Sequence, residues 1–201
     1  KLVHRAPKFV EGLAVFDVLA KEDILQVHEK YSDSVNVAES TSDDSELADI
    51  WNALVVGLRD YVLKNRFRSV VLGLSGGIDS AVCAALAVDA IGPHRVHGVS
   101  LPSKYSSDHS KSDAFDLAER LGIEIRTEAI AAMVDVTEKQ LALDGVAAEN
   151  LQARVRGLIL MALSNAEGHL TLTTGNKTEL AVGYSTIYGD SVGGYAPIKD
   201  V

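Results

Sequence analysis

The eight residues Gly73-Leu74-Ser75-Gly76-Gly77-Ile78-Asp79-Ser80 combine hydroxyls, flexible backbone and one carboxylate within a single turn. They follow the apolar run Ser69-Val70-Val71-Leu72 and lead into Ala81-Val82-Cys83-Ala84-Ala85-Leu86-Ala87. That order reads as a buried strand, a glycine-rich turn and a helix opening on acidic and hydroxyl residues. Gly76 and Gly77 permit a tight turn and leave amide N–H groups uncovered. The helix N-terminus adds partial positive charge, so the turn suits a phosphate chain. Ser75 and Ser80 supply hydroxyl donors, and Asp79 is placed to reach a magnesium ion carried on the phosphates. Two other nucleotide loops fit poorly. A Walker A loop needs a Lys where Asp79 stands, and Gly73, Gly76 and Gly77 do not make the G-x-G-x-x-G of a dinucleotide site.

Further polar segments could complete a site. Glu149-Asn150-Leu151-Gln152-Ala153-Arg154-Val155-Arg156 opens a long helix, with Asn150 and Arg154 four apart on one face and Arg156 pointing elsewhere. An amide beside a guanidinium suits a phosphate or ribose of a second substrate. In Thr174-Gly175-Asn176-Lys177-Thr178-Glu179, the glycine permits a sharp turn and Glu179 opens a short helix. Its carboxylate could join Asp79 around a magnesium ion, since hard cations take oxygen ligands from separate loops. Tyr184-Ser185-Thr186-Ile187-Tyr188-Gly189-Asp190 adds rings for stacking and another acid. Taken singly, each also reads as an ordinary helix start or surface loop.

Alternating elements would position these loops. Leu47, Ile50, Trp51, Leu54, Leu58, Tyr61 and Val62 form one apolar helical stripe, capped by Ser45 or Asp44 with Glu46 in the first turn. After the first strand and motif helix come a strand over 95–100, a helix over 113–121 stopping at Gly122, and a strand over 123–127. Helices over 129–143 and 147–166 and a strand over 169–173 follow. Strands alternating with helices predict an α/β fold, a parallel sheet with helices on both faces. Ligands of such sheets gather beyond the carboxyl ends of the strands. The loops 75–80, 100–107 and 173–179 would all lie on that rim. Ahead of this pattern, Leu13 to Leu19 reads as a strand, followed by a charged mixture over 21–30. Residues 31–45 are rich in Ser, Asp, Asn and Thr and predict a linker.

Composition narrows the function classes. The 201 residues can enclose a sizeable core, and 47% of them are hydrophobic. A net charge of −9 with no long basic run argues against broad nucleic-acid or membrane-surface binding. The single cysteine, Cys83, excludes an internal disulfide and any multi-cysteine zinc site, in keeping with a cytoplasmic protein. Its place in the apolar first turns of the motif helix predicts a buried structural thiol. No stretch approaches the roughly 20 apolar residues of a membrane span, and no signal-peptide pattern opens the sequence.

The segment Ser75-Gly76-Gly77-Ile78-Asp79-Ser80 resembles the PP-loop of ATP pyrophosphatases, which cleave ATP to AMP and pyrophosphate. Together with Asn150 to Arg156, Thr174 to Glu179 and Tyr188-Gly189-Asp190, in this order, it resembles the NAD synthetase family. The similarity is strongest to the glutamine-dependent form, which also shows Pro102-Ser103-Lys104-Tyr105-Ser106-Ser107. The resemblance covers residues 45–201 and implies an adenine nucleotide alpha-hydrolase-like (Rossmann-like) three-layer sandwich. It implies ligation of ammonia to the nicotinate carboxylate of deamido-NAD, through an adenylated intermediate. By transfer of motifs, Gly73, Leu74, Ser75, Gly76, Gly77, Ile78, Asp79, Ser80 and Thr174 would bind ATP. Asp79 and Glu179 would hold Mg2+ as the catalytic pair, and Asn150, Arg154, Glu179, Tyr184 and Asp190 would bind deamido-NAD. Homo-oligomers are usual in the family.

Residues 5–13 resemble the tail of a nitrilase-type amidase domain, which in glutamine-dependent synthetases supplies ammonia from glutamine. This implies that residues 1–30 are a remnant of such a domain, that 31–44 form a linker or gap, and that 45–201 are a synthetase domain lacking its C-terminal end. An ATP-binding lysine expected in the next loop would fall just beyond Val201, with Lys199 two or three positions early, so the stretch alone is expected to be inactive. Ammonia-dependent relatives carry a Lys where Ile187 stands and an acid where Gly194 stands, so contacts there must differ. Two other readings compete: another PP-loop pyrophosphatase, such as a GMP synthetase or tRNA-thiolating enzyme, and a non-catalytic nucleotide-binding module. One cysteine and the negative charge disfavour thiolation.

Overall fold

The computed structural model describes residues 8–13, 16–21, 24–29, 45–104, 106 and 108–201. They fall into two compact units divided between Ala53 and Leu54.

In the first unit, β1 (Phe16–Lys21) pairs antiparallel with β2 (Ile24–Glu29), from Phe16 opposite Glu29 to Lys21 opposite Ile24. The sequence predicts one strand over 13–19 and a charged stretch after it. Among the described residues β1 covers Phe16–Lys21, Leu13 lies outside any strand, and a second strand follows. The alternation Leu25-Gln26-Val27-His28 is the strand signal there, masked by flanking charges. The predicted linker over 31–44, and with it Asp44 as a helix cap, lies outside the described residues. Helix α1 (Ser45–Lys64) follows. In its second half, which belongs to the second unit, Val55, Leu58 and Val62 form the buried edge, while Leu47 and Ile50 at its start are exposed.

The second unit is built on four parallel strands: β3 (Val70–Gly73), β4 (Val96–Ser100), β5 (Glu124–Thr127) and β6 (Leu170–Thr171). Their order across the sheet is β5-β4-β3-β6. Val70 pairs with Val96 on one side and Leu170 on the other. Helices α2 (Ile78–Ile91) and α3 (Asp108–Leu121) pack together on one face. Helices α4 (Ala131–Leu141) and α5 (Gly145–Glu167) cover the other. The short α6 (Lys177–Val182) follows β6. Val71, Val99, Leu101, Ile130, Val134, Val155 and Leu160 form one buried cluster, joining the sheet to α4 and α5. Alternation along β3 turns Val70 and Leu72 to the opposite face, toward the small buried residues of α2. Fully burying a side chain such as Leu72 contributes about 1.5–3 kcal/mol.

The chain leaves β3 for β4 and β5, then returns across the sheet to place β6 on the far side of β3. That reversal opens a crevice at the carboxyl end of β3, where ligands of doubly wound sheets sit. The predicted helix over 113–121 begins five residues earlier, at Asp108. Its first turn is entirely polar and carries no apolar period. Gly122 ends α3 as predicted, at φ 66°, and Gly168 ends α5 at φ 77°, while β6 is shorter than the predicted strand over 169–173. Leu172 continues β6 as a parallel bridge to Tyr195.

Candidate active site

The turn after β3 is braced by its own hydroxyls. Ser75 Oγ accepts from the Gly77 N–H at 3.1 Å, and Ser80 Oγ donates to the Gly77 carbonyl at 2.9 Å. The two hydroxyl oxygens lie 3.2 Å apart, and the Ser75 N–H points at Ser80 Oγ at 3.3 Å. Gly76 takes φ +80°, and a Cβ there would meet the Ser110 carbonyl at 2.5 Å. Only glycine serves at that position. Gly77 is the N-cap of α2 and makes no side-chain cap, so the first amides of a 14-residue helix head the turn. Leu74 is buried, donates its N–H to the Val99 carbonyl at 2.9 Å and lines the first of the two cavities beside the turn, while Ile78 is exposed.

Two cavities flank this turn. One, of about 290 Å³, lies over the ends of β3 and β4 and is lined mainly by apolar atoms, with Ser75, Ser100, Ser106 and Arg156 on its walls. The other, of about 460 Å³, brings Asp79, Ser80, Thr174, Glu179, Tyr184 and Lys199 together. Ser75, Thr173, Thr174 and Asp190 line both. The three loops predicted on one rim therefore do converge.

Asp79 and Glu179 stand on different elements, α2 and α6, and both are half-buried. Asn176 connects them. Its Nδ2 donates to Asp79 Oδ1 at 3.1 Å, and its Oδ1 accepts from the Glu179 N–H at 2.9 Å. Its own N–H donates to Glu179 Oε2 at 3.1 Å, completing a capping box. Two carboxylates on separate helices, facing one cavity beside the glycine-rich turn, form a donor set that fits Mg2+. Asn176 escaped the sequence reading, although Asn followed three residues later by Glu is the signature of that box.

The residues predicted for a second substrate meet through one loop. Asn150 Oδ1 accepts from Thr186 Oγ1 at 2.9 Å, and Arg154 Nε donates to the Ile187 carbonyl at 3.2 Å. Asn150 and Arg154 thus share the predicted face and hold the loop containing Tyr184 to Asp190. Asp190 Oδ1 accepts the Thr186 N–H at 2.7 Å, so its carboxylate shapes this loop as well as lining both cavities. Tyr184 is 77% exposed, its ring open to the rim. Arg156 points elsewhere, as its helical spacing predicts. Its Nε donates to the Leu101 carbonyl at 3.1 Å, and its guanidinium, held below its ordinary pKa by burial, lines the apolar cavity. No carboxylate pairs with it among the described residues. Of the two arginines, the one set aside in the sequence is the one in the wall of the crevice.

A Cβ at Gly194 would meet Leu170 Cδ1 at 2.6 Å, the tip of a side chain that can rotate aside. Cys83 is buried in α2, and burial together with the nearby Asp79 charge pushes its thiol up to about 12, as an inert structural thiol requires.

The NAD synthase family profile matches residues 50–201. A glutamine-dependent NAD(+) synthetase of Synechocystis is 45% identical over 209 residues, covering 100% of this chain and 36% of the relative. That of Thermotoga maritima is 52% identical over 162 residues, covering 76% of this chain and 28% of the relative. The chain thus spans about a third of the length of these curated relatives. Among solved structures, glutamine-dependent NAD+ synthetase from Acinetobacter baumannii, in complex with ADP, superposes with a TM-score of 0.77 at 46% identity. That match covers 86% of this chain and 33% of the other. The NH3-dependent NAD synthetase from Campylobacter jejuni gives 0.73 at 33% identity, over 77% of this chain and 67% of the other. With the turn, the carboxylate pair and the crevice in place, these matches establish that the chain belongs to the NAD synthase family.

Proposed function

We propose that this chain is the synthetase portion of a glutamine-dependent enzyme that amidates deamido-NAD to NAD, converting ATP to AMP and pyrophosphate. Residues 1–30 would belong to an amidase region that supplies the ammonia. The observation carrying the reading is the convergence of the Ser75–Ser80 turn, Asp79, Thr174 and Glu179 on one cavity at the reversal of the sheet.

The nicotinate carboxylate is a poor electrophile, and displacement by ammonia needs a leaving group on it. Attack by its oxygen on the α-phosphorus of ATP supplies one, with pyrophosphate departing. Ammonia then adds to the acyl carbon, and AMP leaves as the amide forms. The amides and hydroxyls of the turn would hold the phosphates. The largely apolar cavity over β3 and β4 would receive the nucleoside end of ATP, with Arg156 as a fixed cation in its wall. Asp79 and Glu179 would hold Mg2+, which neutralises charge gathering on the departing pyrophosphate. Asn150 and Arg154 would shape the loop that seats deamido-NAD, and the open ring of Tyr184 offers a stacking surface. The residues chiefly position two anions and offset their repulsion; no covalent enzyme intermediate is needed.

The test is AMP release from ATP, Mg2+ and ammonium by the full-length protein, with and without deamido-NAD. AMP formed only with deamido-NAD, and matched by NAD, is the expected result. Glu179→Gln keeps an acceptor for the Asn176 N–H but loses the charge, so activity should fall at least about 100-fold while the melting temperature holds. ATP binding without deamido-NAD-dependent AMP would refute the substrate and favour another carboxylate or nucleobase.

A further inference from the structure

We propose that Asn176 limits Asp79 and Glu179 to one metal-coordinating oxygen each, making the pair selective for Mg2+ over Ca2+. The inference rests on the reading of this pair as the metal-holding carboxylates.

A backbone N–H can only donate, so the Glu179 N–H fixes Oδ1 of the Asn176 amide toward itself. Nδ2 is then the group facing Asp79, and a carboxylate is the acceptor it needs. The same residue's N–H takes Glu179 Oε2. One oxygen of each acid is engaged, while Asp79 Oδ2 and Glu179 Oε1 accept no hydrogen bond among the described residues. A bidentate grip would have to share the remaining lone pair of an oxygen already bonded to Asn176, in a carboxylate whose orientation that bond fixes, so the free oxygen is the better ligand. The tie also joins two elements that lie 97 residues apart in the chain, and so sets the spacing between the acids.

These constraints discriminate between cations. Mg2+ takes near-ideal octahedral geometry and is usually held by one or two carboxylates with phosphate oxygens and water. Ca2+ takes six to eight oxygens and commonly accepts bidentate carboxylates. Two acids, each offering one oriented oxygen, suit the smaller ion. Freeing Asp79 would let it rotate and chelate, narrowing the difference.

Two substitutions separate this role from helix capping. Asn176→Ser keeps an oxygen to cap the Glu179 N–H but is too short to reach Asp79. Asn176→Gly loses both side-chain bonds at a cap position that tolerates glycine. Mn2+ binding to the full-length protein with α,β-methylene-ATP is followed by electron paramagnetic resonance, with Mg2+ and Ca2+ as competitors. The wild type should prefer Mg2+. Both variants should lower the Mg2+-to-Ca2+ affinity ratio by about 10-fold or more, the scale of effect when the support of a metal ligand is removed. The serine variant should do so with an unchanged melting temperature.

A serine variant with the wild-type ratio would reduce Asn176 to a helix cap and overturn the proposal. Wild-type protein that binds no divalent cation with the nucleotide would overturn both the metal reading and this inference. A selective wild type that makes no NAD would sink only the proposed substrate. Wild-type NAD synthesis with unaltered ratios in both variants would sink only the role of Asn176.

Discussion

Replacing Gly76 by Ala should damage both the fold and the nucleotide site. At φ +80° any L side chain is strained, which costs about 1–2 kcal/mol. The added Cβ would also lie 2.5 Å from the Ser110 carbonyl oxygen and 3.0 Å from Ser110 Cα. These are backbone atoms of α3 and cannot rotate aside, so relief requires helix and turn to part. Overpacking of this kind costs about 1–3 kcal/mol. Together the two effects amount to about 2–5 kcal/mol. For a chain of this size each kcal/mol lowers the melting temperature by about 2–4 °C, so a fall of at least about 4 °C is expected.

Gly77 is the internal control, one residue away. Its φ is −86°, and a Cβ there would lie 3.2 Å from Ser75 Oγ, a side-chain atom able to move. Gly77→Ala should therefore cost about 1 kcal/mol or less. Thermal unfolding by circular dichroism, beside ATP titration by calorimetry, measures both effects. A Gly76→Ala protein within about 1 kcal/mol of the wild type would refute the reasoning. Equal losses at the two positions would refute it as well, since of the two only Gly76 has a positive φ.

Three further outcomes are expected. Thr171 is 2% exposed and its hydroxyl has no hydrogen-bond partner among the described residues, so Thr171→Val should add about 1 kcal/mol of stability, read as a higher urea midpoint at constant slope. Cys83 is raised from 9.0 to about 12 on folding, so its protonated thiol contributes stability fully below pH 9. That contribution is lost between pH 9 and 12, as the unfolded thiol ionises while the folded one does not. Cys83→Ala should flatten the alkaline fall in stability, and wild-type Cys83 should react with Ellman's reagent at pH 8 only on unfolding. Arg156→Met keeps an apolar stem in the wall but removes the cation; KM for ATP should rise about 10- to 100-fold, and an unchanged KM would remove Arg156 from the ATP site.

What could be read beforehand was local. The strand, turn and helix around Gly73 to Ser80 lie within some twenty residues, and their chemistry follows from residue types alone. Asn150 and Arg154 share a face because four residues make about one helical turn. The alternation of strands and helices announces a parallel sheet. It does not say that β6 returns to the far side of β3, yet that return creates the crevice. Arg156 was missed for a related reason. Helical spacing separates it from Arg154 but cannot tell which of the two faces the sheet.

Asn176 lay within reach as a helix cap and out of reach as a partner of Asp79, because the cap depends on three residues and the partnership on the packing of α2 against the loop after β6. The glycines show the same division. A Cβ at Gly157 would meet the Gly189 carbonyl at 3.0 Å, and one at Gly193 would meet the Thr173 amide nitrogen at 3.0 Å. None of these partners is a sequence neighbour, and neither glycine has a positive φ. Their meaning is distance: α5 and the strand β6 each approach the 186–194 segment closely enough to exclude a side chain. That approach brings Asp190 and Thr173 into contact, with Thr173 Oγ1 donating to the Asp190 carbonyl at 3.0 Å. Those two residues line both cavities, so the small residues set the wall that the Ser75–Ser80 turn and the 184–190 loop share.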